Sequence, residues 1–126
     1  MEMIAKEILK KARAKIAKPE NWCQGVSARK KVRSILYDFN DVLEACDARD
    51  PEACQWCATG AIDGVIPRDS YLNVFGSRKD ALRVLDRFCP ESSVVAYNDG
   101  KENSHESIIS IFDKAIEFFE IKDELE

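Results

Sequence analysis

The stretch RKKVRSILYDFNDVLEAC, residues 29–46, decides the fold. Its apolar residues Val32, Ile35, Leu36, Phe39, Val42, Leu43 and Cys46 step by three and four, which predicts a helix from about Arg29 to Cys46. A strand over Ser34–Phe39 is the rival reading, because a short apolar run fits either period.

With the helix taken, the flanking segments read the same way. Ile4, Ile8, Leu9, Ala12 and Ile16 recur at helical spacing, with lysines and Arg13 between them, and Lys18-Pro19 ends that helix because proline disfavours the α conformation in the residue before it. Glu20 to Gly25 is then a loop. Asp50-Pro51 reads as a helix start, followed by the stripe Cys54, Cys57, Ala58, Ala61, Ile62 and Val65 up to Pro67. Ser77 with Asp80 reads as the cap of a fourth helix carrying Ala81, Leu82, Leu85, Phe88 and Cys89, stopped by Pro90. Ser92 to Ser104 is expected to be irregular, with a short extended piece over Val94–Tyr97. Asn103 and Glu106 fit a capping box for a last helix, whose Ile108, Ile111, Phe112, Ala115, Ile116 and Phe119 are spaced for burial. The expected architecture is all-α: a single compact helical domain over residues 1–126 with about five helices.

The chain has 126 residues, 45% of them apolar, which suits one domain able to bury a core without disulfides or a structural metal. No window approaches the roughly 18 apolar residues of a membrane span, and Met1 to Lys18 alternates charge with apolar residues, so the expected setting is soluble and cytoplasmic, with no membrane contact. Charge is unevenly placed. Residues 1–34 hold ten Lys/Arg against three Asp/Glu, and residues 35–126 hold nine against twenty. The basic third, from Lys6 to Arg33, could attract nucleic acid. The plainer reading is self-complementation, with the basic entry helix lying near the acidic exit segment, and no aromatic–basic interleaving marks a base-stacking platform.

Five cysteines include one Cys-x-x-Cys, Cys54 to Cys57, a spacing that can chelate a metal only if further ligands complete it. No second paired motif exists, and Cys46, Cys54, Cys57 and Cys89 fall on the apolar stripes, so they read as small buried hydrophobes with no metal and no cofactor. Cys57 is weighed separately. Near a helix N-terminus it is a candidate nucleophile, with His105, the only histidine, as base and Gln24, Asn98 or Asp99 orienting the base or donating to an oxyanion. Against this, Cys57 belongs to the apolar stripe and His105 starts a helix.

Three segments, Asn21-Trp22-Cys23-Gln24-Gly25, Trp56-Cys57-Ala58-Thr59-Gly60-Ala61 and Tyr97-Asn98-Asp99, resemble an uncharacterised family of small bacterial and phage proteins, a domain of unknown function. The likeness spans roughly residues 7–118. Tyr97 stands where the family more often has Trp, and Lys30–Arg49 is longer than the expected connector. The resemblance implies that these segments meet. Trp22, Gln24, Trp56, Cys57, Asn98 and Asp99 then serve either as scaffold, with aromatics wedged between helices and amides closing helix ends, or as the lining of a small ligand pocket. With one good member in its catalytic constellation, the chain reads first as a non-enzymatic helical module that meets a protein partner. A cysteine-dependent enzyme and a nucleic-acid binder are the alternatives.

Overall fold

The computed structural model describes residues 4–33, 41–70, 73–90, 93–101 and 103–125. Helix α1 (Ala5–Lys15) leads through a 3-10 turn (Pro19–Asn21) into three strands, β1 (Ala28–Arg33), β2 (Asp41–Cys46) and β3 (Ala53–Trp56). Four helices follow: α2 (Ala58–Val65), α3 (Phe75–Phe88), α4 (Val94–Asp99) and α5 (His105–Leu125). The strands form an antiparallel sheet of order β2-β1-β3, so the fold is mixed α/β and the all-α expectation is overturned.

The correction falls first on residues 29–46. Helical spacing of apolar residues there coincides with something local periodicity cannot register, pairing of the flanking residues with each other and with a third segment. Val32 faces Val42, Lys31 faces Leu43, Lys30 faces Glu44, and Arg33 faces Asp41, so opposite charges and apolar pairs meet across the ladder. On its other side β1 pairs with β3, with a register shift between Arg29 and Lys30. The rival strand over Ser34–Phe39 lies outside the described residues.

Two more expectations change. Asp50-Pro51 starts a turn, not a helix: Asp50 Oδ1 accepts from Glu52 N–H at 2.9 Å and its carbonyl from Ala53 N–H at 2.9 Å, which feeds the chain into β3. Cys54 therefore lies in a strand, and α2 begins only after Cys57. The extended piece expected at Val94–Tyr97 is helical, because Ser93 Oγ accepts from Ala96 N–H and the Asp86 carboxylate takes Val94 N–H. Elsewhere boundaries move. Helix α3 starts at Phe75, two residues before Ser77, and the reciprocal cap of α5 uses Ser104 with Ser107, one residue past the expected pair.

The core sits among the helices. Ile8, Leu9, Ala12 and Ile16 pack with Ala58, Ala61 and Ile62 of α2, Ala81 and Leu85 of α3, and Ile108, Phe112 and Ala115 of α5. Three ion pairs tie α1 to α5: Lys6 to Asp123 at 2.6 Å, Lys10 to Glu120 at 3.3 Å, and Arg13 to Asp113. The basic entry and acidic exit of the chain thus complement each other. One face of the sheet carries the fully buried Ala28 and the half-buried Trp56; the other turns Lys31, Arg33, Asp41, Leu43 and Ala45 to solvent. Among the described residues no helix is long and apolar enough to cross a membrane.

Candidate functional site

Two short pieces of chain, Trp22-Cys23 and Trp56-Cys57, run parallel for a single rung. Trp22 bridges Trp56, and Cys23 N–H donates to Trp56 O at 3.0 Å. In a continuing parallel ladder the next bond would run from Ala58 N–H to Cys23 O. Instead the side-chain amide of Asn98 is inserted there: its Oδ1 accepts from Ala58 N–H at 3.0 Å, and its Nδ2 donates to Cys23 O at 3.1 Å. A primary amide has the acceptor and donor of a peptide group, so Asn98 stands in for a rung. Oδ1 also accepts from the Trp22 indole at 2.7 Å, and Nδ2 also donates to Asp99 Oδ1 at 3.1 Å. Four partners use the whole capacity of an asparagine that is 1% exposed.

The turn after α4 is fastened to the same loop. Gln24 Nε2 donates to Asn98 O at 2.9 Å and Gly100 O at 3.1 Å, occupying carbonyls left open at the helix end. Gly25 N–H donates to Asp99 Oδ1 at 2.9 Å, and the Gly25 φ of 84° is one that a side chain would resist. Arg29 reaches back to Gln24 O at 3.2 Å.

Cys57 ends the extended run and is the N-cap of α2. Its Sγ accepts from Gly60 N–H at 3.2 Å and lies 3.3 Å from Thr59 Oγ1, while its N–H donates to Ser27 O at 3.1 Å. The same Ser27 carbonyl crowds Gly60 so closely that a Cβ there would collide with it. Beside this junction lies an open cavity of about 170 Å³ lined by Gly25, Val26, Ser27, Cys57, Thr59, Val95, Asn98 and Asp99. Trp56 is fixed by its indole N–H on Ala48 O at 3.0 Å and by the Lys15 ammonium 4.1 Å above its ring; burial in this contact lowers the Lys15 pKa.

Trp22, Gln24, Trp56, Cys57, Asn98 and Asp99 are therefore brought to one junction. His105 is placed elsewhere. Its Nε2 meets Ile16 O at 2.6 Å, which requires the proton on Nε2, and its ring packs at 6.1 Å from that of Trp22. It lines a separate cavity of about 330 Å³ with Ala17, Glu106, Ile109, Ser110 and Asp113. No hydrogen bond among the described residues joins it to Cys57. The cysteines divide differently from the sequence expectation: Cys23 and Cys57 are buried, while Cys46, Cys54 and Cys89 are half-buried, and none is in a disulfide. Among the described residues no three His, Cys, Asp or Glu side chains converge in a way that could hold a metal ion. Spacing gave no sign of the roles of Cys23, Ser27 and the Ala58 N–H, because each acts through a partner some 30 or more residues away.

These features define a class: a small mixed α/β domain in which an asparagine side chain splices a broken parallel ladder at a cysteine-capped helix. The chain belongs to a family of unknown function (DUF6197), whose profile matches residues 2–118. Neither a curated protein nor a solved structure matches it.

Proposed function

We propose that the chain is a non-enzymatic protein-interaction module of a bacterial or phage cytoplasm, and that its contact surface is the outward face of the sheet. The partner is a protein that presents carboxylates around an apolar contact. The observation that carries this reading is the pair Lys31 and Arg33, exposed on that face and roughly 7 Å apart along the central strand, with Asp41 opposite Arg33. Leu43 lies directly beside Lys31 and is 45% exposed. Clustered cations draw an acidic partner, and an exposed leucine among them gives area to bury, which a phosphate backbone would not use.

The ion pairs of α1 with α5 support a protein over a nucleic acid, because Lys6, Lys10 and Arg13 are already engaged with carboxylates. The Asn98 junction supports a scaffold role over chemistry: its amide has no bonding capacity left for a substrate. The test is capture from a cell lysate on the native chain and on a Lys31→Glu/Leu43→Glu variant, each with and without nuclease. A retained protein that survives nuclease and is lost with the variant is expected. Retention abolished by nuclease would replace this reading with nucleic-acid binding.

The cysteine-enzyme alternative has one observation in its favour, the open cavity at Cys57 with Thr59 and Asp99 on its wall. A covalent adduct on Cys57 after exposure to an acyl or amide substrate panel would support it and count against the interaction module.

A further inference from the structure

The Trp22–Trp56 bridge delivers two thiols side by side. Cys23 and Cys57 each follow a bridged tryptophan by one residue, so their side chains leave the same face of the short parallel ladder. The register of the bridge sets Cys23 opposite Cys57, on chains that lie about 4.8 Å apart where they pair, before the Asn98 amide parts them at the following rung, and Cys57 stands near enough to help raise the Cys23 pKa. Cys23 Sγ is 3.7 Å from Val26 O, its hydrogen-bond acceptor, while Cys57 Sγ accepts from Gly60 N–H and lies 3.3 Å from Thr59 Oγ1. The other cysteines sit elsewhere in the register. Cys46 faces Ala28, Cys54 precedes Trp56 by two residues in β3, and Cys89 Sγ donates to Leu85 O at the end of α3. Cys57 lines the open cavity and is 8% exposed, whereas Cys23 is outside its lining and 5% exposed.

We propose that Cys23 and Cys57 are a dithiol pair that closes to a disulfide by exchange with a small-molecule disulfide such as oxidised glutathione, entering through the cavity at Cys57. Cys57 releases its proton to water and attacks one sulfur of the oxidant; the oxidant's S–S bond breaks and one glutathione thiolate leaves, taking up a proton. Cys23 then releases its proton and attacks the Cys57 sulfur of the mixed disulfide, and the second glutathione leaves. The two protein thiols lose two electrons and the oxidant gains them. Burial, reinforced by the neighbouring Cys57, pushes the Cys23 thiol up to about 11, so the second step quickens as pH rises. Closure draws Cys57 Sγ away from Gly60 N–H and pins the 22–25 loop to the start of α2. It is independent of the sheet-face reading.

The test incubates the native chain with oxidised glutathione under non-denaturing conditions, traps free thiols with N-ethylmaleimide and weighs the product. The expected result is a fall from five labels to three, with a non-reduced digest joining Cys23 to Cys57. A Cys23→Ser variant is expected to stop at one glutathione on Cys57. Retention of all five labels, or a digest joining any other pair, overturns the proposal, and the native-chain map stands whether or not the variant folds.

Discussion

Replacing Asn98 by alanine removes the spliced rung, and the cost can be worked from its four partners. Ala58 N–H lies in a residue that is 0% exposed and Cys23 O in one that is 5% exposed, so neither gains water in exchange. Each orphaned buried group costs about 1–3 kcal/mol. The Trp22 indole is half-buried and Asp99 is exposed, so these two partners recover solvent and add least. A loss of about 4 kcal/mol is expected for Asn98→Ala, a large share of the roughly 5–15 kcal/mol that holds a domain of this size. Asn98→Asp separates shape from hydrogen bonding. It keeps an acceptor for Ala58 N–H but turns an anionic oxygen toward Cys23 O and the Asp99 carboxylate, which raises the introduced carboxyl's folded pKa above its unfolded one. Protonation restores a donor, so stability is present at low pH and lost as pH rises through that raised value. The assay is urea unfolding followed by fluorescence of the two tryptophans, at pH 4 and pH 7. A loss below about 1 kcal/mol for Asn98→Ala, or an Asn98→Asp chain as stable at pH 7 as the native one, would refute the splice.

Other outcomes follow from the same geometry. Gly60→Ala drives a Cβ into the Ser27 carbonyl, itself held by Cys57 N–H, and is expected to cost roughly 3 kcal/mol or more; a mild effect in thermal melts would mean that the β1–α2 approach is not tight. Cys57→Ala removes the cap on Gly60 N–H and should cost about 1 kcal/mol, while Cys57→Ser, which keeps an acceptor, should cost clearly less; equal losses by circular dichroism would end the capping role. Because the Cys23 pKa is raised from 9.0 to about 11 on folding, its contribution is complete below pH 9 and disappears as pH rises to about 11. The stability difference between the native chain and Cys23→Ala should shrink over that window, and a constant difference would contradict the burial. Asp113→Asn opens the exposed pair with Arg13 and should cost only about 0.2–1 kcal/mol, an effect that fades with added salt in urea titrations.

Helices α1 and α5 were legible because each buries a stripe against the core, so spacing in the chain maps directly onto facing in space: Ile8, Leu9, Ala12 and Ile16 on one, Ile108, Ile111, Phe112 and Ala115 on the other. The charge imbalance also foretold its own resolution in the ion pairs between them. The membership of the junction, from Trp22 to Asp99, came from the resemblance and not from spacing. Residues 29–46 misled because a half-exposed strand such as β1 carries no apolar alternation, and β3, which fixes it from the far side, is some 25 residues away.

By itself the sequence determined that α1, α3 and α5 each bury a face, since that is written in side-chain type along the chain, while the meeting of the three segments was what the family resemblance implied. Only the tertiary structure decided that residues 28–33, 41–46 and 53–56 form a sheet, that His105 is spent on Ile16 and that Cys23 stands opposite Cys57. Those outcomes depend on hydrogen bonds between backbone groups far apart in sequence. Every residue carries the same peptide donor and acceptor, so residue identity leaves their pairing unmarked until the chain is folded.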